Sequence, residues 1–369
     1  MLLINWLKLE VRRRIIKSLL TPSHRKKIRG KRERKRKTEN RSHQVFYLHQ
    51  VDDPYSHLCC QILDQLENSY DIEVMPLVVG PPPPSSTPEV EMLQKHNIED
   101  AKMIAPYYGL TFETNEMDIE SKNIKIAQSI LLGTNQESFA KVSLQVGDAL
   151  WRNDSETLQD LQQNSTVLSD EEISARIQIN SQKQKKLGHY YGGVFAYEGE
   201  CYGCIDRVPF LEERLVELGT NKSDQQSIFK RKSLKDELPL KLDGLTLEVL
   251  FSVRSPYSYL ALPQLIEFRK RYPIKVVYSP ILPMVMRGMV INREKMFYIL
   301  SDCKRIAEKK GIPFGNIADP LGKAVERCYS LFKFIKQKGK EEDYFNAFLR
   351  AVWSAVSYTH LTLPTSDLV

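Results

Sequence analysis

The sequence predicts an α/β protein in which one strand–helix–strand unit, extended by a helical insert, is used twice. Three observations carry this. Shifted by 202 positions the chain lies on itself without a gap, so that Val51, Pro54, Tyr55, Ser56, Leu58, Leu63 and Tyr70 meet Val253, Pro256, Tyr257, Ser258, Leu260, Leu265 and Tyr272. The same offset pairs Ile72 and Val74 with Ile274 and Val276, Asp100, Lys102, Ile104 and Ala105 with Asp302, Lys304, Ile306 and Ala307, Gly109 and Phe112 with Gly311 and Phe314, and Trp151 with Trp353. In both halves an apolar strand pattern leads into Pro at a helix start, and a long helical pattern further on is closed by Gly. A register kept over about a hundred residues means one domain used twice, so its chemistry can be read in two copies and compared.

Taken in order, residues 44–51 (QVFYLHQV) and 246–253 (TLEVLFSV) predict opening strands, and 72–79 and 274–279 predict second strands. NIEDAKMIAPYYG and REKMFYILSDCKRIAEKKG predict helices that end at Gly109 and Gly311. The first copy then continues past Trp151 through a polar helical region to GGVFAYEGECYG, which reads as a hairpin with Glu198-Gly199 at its turn. The helix DRVPFLEERLVELG follows. Gly80 to Pro88 is a stiff, proline-rich loop. The resulting organisation is a basic arm (1–42), a first domain (43–219), a charged linker (220–242) and a second domain (243–354). Residues 355–369, AVSYTHLTLPTSDLV, resemble a translated sequencing-library adapter and are set aside as a processing scar. The second copy is therefore expected to be incomplete, with an uncovered sheet edge, and the chain as it stands to be inactive.

At 369 residues and 42% hydrophobic content the chain can bury two cores, and no apolar run approaches the roughly 20 residues of a membrane span. Its net charge of +7 is local: residues 1–42 hold 16 Lys and Arg against 3 acids, leaving 37 basic against 43 acidic residues elsewhere. The arm opens with MLLINWLKLEVRRRIIKSLL, an amphipathic pattern with Leu2, Trp6, Leu9, Ile16 and Leu20 near one face, and continues with RKKIRGKRERKRK. Such a segment suits a solvated tail or an anionic membrane surface. Its apolar opening is too short and too soon charged for a secretory signal. No base-reading motif follows, so nucleic acid is not favoured. Six scattered cysteines do not make a secreted disulfide framework, and a cytoplasmic setting fits, peripheral at the inner membrane if the arm meets lipid.

Ser255 to Ala261 (SPYSYLA), then Tyr298-x-x-x-Asp302-x-x-Arg305-x-Ala307, then Gly311-Ile312-Pro313-Phe314, resemble the 2-hydroxychromene-2-carboxylate isomerase family. These are DsbA-like thioredoxin-fold proteins related to the kappa class of glutathione transferases. The first copy resembles the same family through VDDPYSHL, DAKMIAPYYGLTF and EGECYGCIDRVPFLEERL, so the resemblance covers most of residues 44–354. It implies tandem thioredoxin-like (DsbA-type) domains, each with a helical insertion, the second incomplete. It also implies glutathione bound beside the first helix, with Ser255 as the residue that supports its thiolate and Tyr257, Asp302 and Arg305 as further binding candidates. A small aromatic or electrophilic substrate would follow.

The residues also have plainer readings. Ser255-Pro256 is a good helix start, with Ser as N-cap and Pro at the first position. A Ser hydroxyl at a helix N-terminus nevertheless stabilises an anion, with the helix dipole behind it. Tyr257 reads as core or as pocket lining, and Asp302 with Arg305 as a surface ion pair of little weight or as a pair that orients a bound anion. In the first copy, Asp53-Pro54 puts a carboxylate where a thiolate would lie. Gly193 stands where the family has a cis-Pro, and Gly203-Cys204-Ile205-Asp206-Arg207 is an altered form of its WGxDR-like segment. The first copy is thus expected to be degenerate, structural or regulatory.

A second function class is thiol–disulfide oxidoreduction through Cys201-Tyr202-Gly203-Cys204, since a C-x-x-C at a helix start can form a low-pKa pair. A third is a binding module without catalysis. No zinc site is expected, because C-x-x-C has no second ligand pair. Cys59, Cys60, Cys303 and Cys328 read as core, and His49 and His57 as structural.

Overall fold

The 202-residue offset reappears in the strand register. In the computed structural model, which describes residues 11, 13–87, 89–114, 119–223, 229 and 244–354, β1 (Gln44–His49) runs parallel to β2 (Glu73–Val78) with Gln44 opposite Glu73. Farther along, β3 (Thr246–Phe251) runs parallel to β4 (Lys275–Pro280) with Thr246 opposite Lys275. The flanking hydrogen bonds shift by the same amount: Glu73 N–H to the His43 carbonyl and Val79 N–H to that of His49 become Lys275 to Leu245 and Ile281 to Phe251.

The chain divides into two compact units, Arg32–Lys235 and Met1–Lys31 with Asp236–Val369. In the first unit, β1 also pairs antiparallel with the strand Val194–Tyr197, which pairs in turn with Glu200–Gly203. The four-stranded order places β2 and the hairpin on opposite sides of β1. Helices Ser121–Gly133, Gln136–Trp151, Ser155–Gln163 and Asp170–Leu187 lie between β2 and the hairpin in sequence, as the thioredoxin-like resemblance implies. Local chemistry sets their ends. Ser169 and Glu172 form a reciprocal capping box at the start of the last of these helices, and Gly188 closes it at φ 95°.

The predicted turn is present: Glu198 and Gly199 have φ 42° and 74°, as a two-residue hairpin with right-handed twist requires. Arg32 donates to the Glu198 carbonyl, and Arg41 lies 3.1 Å from its carboxylate. The basic helix Pro22–Thr38 has Ile28 as its isolated large apolar residue and buries none of its side chains. Val45 and Tyr47 of β1, Val74 and Val78 of β2, and Phe195 and Tyr197 of the hairpin are buried in one core.

In the second unit, helices Pro256–Arg271, Arg293–Lys309 and Glu341–Trp353 close a core around Phe251, Tyr259, Leu260, Cys303, Phe345 and Trp353. Ile16 and Leu20 pack against it, and Arg25 pairs with Glu308. Among the described residues β3 pairs with β4 alone, and Leu247 and Leu250 are exposed. The edge that β1 gives to the hairpin is therefore uncovered on β3 within the described residues. The readings of residues 1–10 and 355–369, and of most of the linker, lie outside the described residues.

Candidate functional site

Two helix starts correspond under the offset. In the second unit Ser255 has extended backbone and accepts a hydrogen bond at Oγ from the Ser258 N–H at 3.2 Å, with Pro256 at the first helical position. A hydroxyl that accepts a cap bond still has its own O–H to donate. Arg254, one residue earlier, is held in bidentate fashion by Asp319 at 2.7 and 2.8 Å, and this pairing raises the guanidinium pKa.

Two residues into the helix, the Tyr257 hydroxyl donates to Asp302 Oδ2 at 2.9 Å, and Arg305 Nη2 reaches Asp302 Oδ1 at 3.3 Å. Asp302 is fully buried and Arg305 is 7% exposed. The surface-pair reading of Asp302 and Arg305 is therefore corrected: their three-residue spacing sits on the inward face of Arg293–Lys309, where a charge needs its partner. Tyr257 itself is 36% exposed. Opposite, the Tyr259 hydroxyl donates to the Pro313 carbonyl at 2.7 Å, and Phe314 stacks on Trp353 at 5.7 Å, which fixes the Gly311-Ile312-Pro313-Phe314 segment.

In the first unit the same scaffold carries different charges. Asp53 caps the helix Pro54–Cys60 by accepting from Ser56 N at 2.8 Å and Ser56 Oγ at 2.7 Å. Burial pushes its carboxyl up to about 6, the Ser56 hydrogen bonds opposing the shift. Tyr55 donates to Asp100 Oδ2 at 2.7 Å, the counterpart of Tyr257 on Asp302. At the positions of Arg254 and Arg305 stand Asp52 and Met103.

Gly193 lies directly over this helix start: a Cβ there would come within 2.9 Å of the Tyr55 carbonyl carbon and 3.0 Å of the Ser56 nitrogen, and φ is +61°. Its carbonyl accepts Cys204 N–H at 2.7 Å and the Cys59 thiol at 3.6 Å. Only glycine allows the incoming strand so near. Cys204 has φ 60° and ψ 171°, a conformation suited to glycine, so a non-glycine residue is held there under strain.

Cys204 borders a cleft of about 380 Å³ beside Tyr55, Asp100, Met103, Tyr107 and Tyr108. Burial, then the nearby Asp206 carboxylate, push its thiol pKa well up, the opposite of what a redox pair needs. Cys201 is buried on its strand with Sγ directed to the Leu187 carbonyl, and both are free thiols.

One constellation escaped sequence reasoning. Cys60 Sγ lies 3.9 Å from His57 Nδ1, and His57 Nε2 lies 3.3 Å from Asp148. Burial pushes the Cys60 thiol up to about 12, and the group is 2% exposed, so this is packing and not a nucleophile. His49 is buried against Tyr47 and Phe139, and burial lowers its pKa to about 3. Among the described residues no group of His, Cys, Asp and Glu could hold a metal ion. No helix among them is long and apolar enough to cross a membrane.

Residues 246–360 match the DsbA-like thioredoxin domain family. The second unit carries a DsbA-like thioredoxin domain. Its Ser255 helix start is the first helix after the first strand of that domain. Among solved structures, a selenomethionine 2-hydroxychromene-2-carboxylate isomerase (HCCA isomerase) is similar at 14% identity and a TM-score of 0.37, over 48% of this chain and 96% of its own. No curated protein matches the chain.

A helix start of this kind lowers the cost of a negative charge placed before it. A hydroxyl and a helix N-terminus meet there, while the charge of Arg254 is taken up by Asp319. The backbone segment that the resemblance pairs with glutathione, ahead of a hairpin, has no counterpart among the described residues of this unit.

Proposed function

We propose that the chain carries two copies of one DsbA-like unit and that the second is built for a glutathione-dependent reaction, isomerisation or transfer, on a small aromatic or electrophilic substrate. The observation that supports this reading best is Ser255, a hydroxyl at the N-cap of a 16-residue helix with its O–H left to donate. Glutathione, when bound, supplies a thiolate nucleophile for an electrophilic carbon. Ser255 donates to that sulfur, and the helix dipole lowers the cost of its charge. Tyr257 forms the rim, its ring fixed by Asp302, and Arg305 keeps Asp302 from facing an incoming anion as an unbalanced charge. In the first unit the two carboxylates Asp52 and Asp53 oppose an anion, which supports reading that copy as non-catalytic.

The raised thiol of Cys204 disfavours the oxidoreductase alternative. Within the arm, Ile16 and Leu20 are taken up by the second unit's core, and the Pro22–Thr38 helix has no apolar face to insert, so the share of that helix in any association with an anionic membrane would rest on charge and weaken with salt.

The test compares the wild-type chain with Ser255→Ala. Thiolate absorbance of bound glutathione is followed against pH. The expected result is a thiol that ionises about tenfold less readily in the variant, equivalent to about one pH unit. Absence of glutathione binding by the wild type, or a variant that ionises it equally well, overturns the proposal.

A further inference from the structure

The first unit holds a cleft that the proposed reaction does not use. It is the space of about 380 Å³ bordered by Tyr55, Asp100, Met103, Tyr107, Tyr108 and Cys204. Its aromatic wall comes from one helix start and one helix end: Tyr55 follows Pro54, and Tyr107 and Tyr108 lie in the short 3-10 turn that Gly109 closes at φ 71°. The carboxylate in this wall is Asp100, and among the described residues its hydrogen-bond partner is the Tyr55 hydroxyl at 2.7 Å.

The second unit shows what balances the same carboxylate elsewhere in the chain. There the Tyr–Asp pair recurs as Tyr257 and Asp302, and the Arg305 guanidinium meets Asp302 at 3.3 Å. Under the 202-residue offset Arg305 corresponds to Met103, which is 62% exposed and borders the cleft. Among the described residues the first unit thus keeps the carboxylate and its tyrosine, places no cation on that carboxylate, and leaves a cavity bordered by three aromatic rings. The other acid at the rim, Asp206, is paired with Arg207.

We propose that this cleft binds an organic cation, an ammonium or amidinium group on an apolar or aromatic body, with the positive head against Asp100 where the second unit places Arg305. Tyrosine faces attract a cation electrostatically, Met103 offers an adaptable apolar contact, and a carboxylate prefers a planar forked donor such as an amidinium. An anion is excluded by the same charge. The site is independent of the Ser255 reading, since it lies in the other unit and needs no thiol.

The probe is benzamidine, titrated into the full chain by calorimetry, with benzyl alcohol and benzoate as neutral and anionic counterparts of similar shape. Benzamidine is expected to bind at least tenfold more tightly than either. Asp100→Asn keeps an acceptor for Tyr55 but removes the charge, and should weaken benzamidine by about tenfold or more. Met103→Arg installs the second unit's own cation and should abolish binding while the chain stays folded by circular dichroism. Equal binding of benzoate or benzyl alcohol, no benzamidine binding at millimolar concentration, or undiminished binding in folded Met103→Arg overturns the proposal.

Discussion

The two helix starts share a frame and differ in charge. Both place Pro at the first helical position, a capping side chain before it, and a tyrosine hydroxyl on an aspartate 45 residues later. Around that frame the first unit has Asp52, Asp53 and Met103 where the second has Arg254, Ser255 and Arg305. Three positions therefore replace two carboxylates and a thioether by a hydroxyl and two carboxylate-paired guanidiniums, with no change in backbone pattern. Packing and capping residues hold the architecture, while the residues that diverge between the units change the charge around the helix start.

The comparison breaks most visibly at Arg305. Arg305→Met gives the second unit the first unit's residue and strands a fully buried Asp302, at a cost of about 3–5 kcal/mol in denaturant unfolding. A loss below about 1 kcal/mol would mean that the pair is solvated after all. Next comes Gly193→Ala, which forces a Cβ onto the Tyr55 and Ser56 backbone at a positive φ and should cost the first unit about 2–3 kcal/mol. Amide exchange in Pro54–Cys60 would locate the damage.

Asp53→Ser exchanges one cap for the other and sharpens the electrostatic contrast. Asp53 has a folded pKa of about 6 against an ordinary value of 3.8, so the folded state binds its proton more tightly; this contribution is present at acid pH and is lost as pH rises through 6. His49, lowered to about 3 from 6.5, acts in the reverse sense: its stability is present above 6.5 and is lost as pH falls toward 3. The two slopes oppose each other between pH 4 and 6, and Asp53→Ser should leave the first unit more acid-sensitive there by about 1 kcal/mol or more. An unchanged pH profile of unfolding would show that Asp53 titrates normally. The smallest effect tests the shared part of the frame: Tyr55→Phe and Tyr257→Phe should each cost about 1 kcal/mol, and losses that differ by more than twofold would show that the two hydroxyls do unequal work.

Much of this frame was legible in the sequence because it rests on local chemistry. Strand period, Ser or Asp before a helix, and Glu198-Gly199 in a two-residue turn each act within a few positions. The burial of Asp302 and Arg305 was not legible, because a three-residue spacing looks the same on an inner and an outer helix face. The cleft was hidden for another reason. Tyr55, Asp100 and Cys204 converge only through the fold, from positions about 150 residues apart. A signal was nevertheless present: comparing the two halves at the positions where they disagree, above all Met103 against Arg305, points to it more directly than the identities that revealed the repeat.

The shared strand register has a consequence for how the chain reaches its structure. Because Gln44 meets Glu73 and Thr246 meets Lys275 in the same alignment, each opening strand is a geometrically acceptable mate for the wrong second strand, in the same molecule or in a neighbour. Closing the short loop of about 29 residues in place of the long one of about 230 favours the correct mate by about 2 kcal/mol of chain entropy. That margin vanishes between molecules once the concentration is high, so strand exchange is the folding error to which this architecture is most exposed.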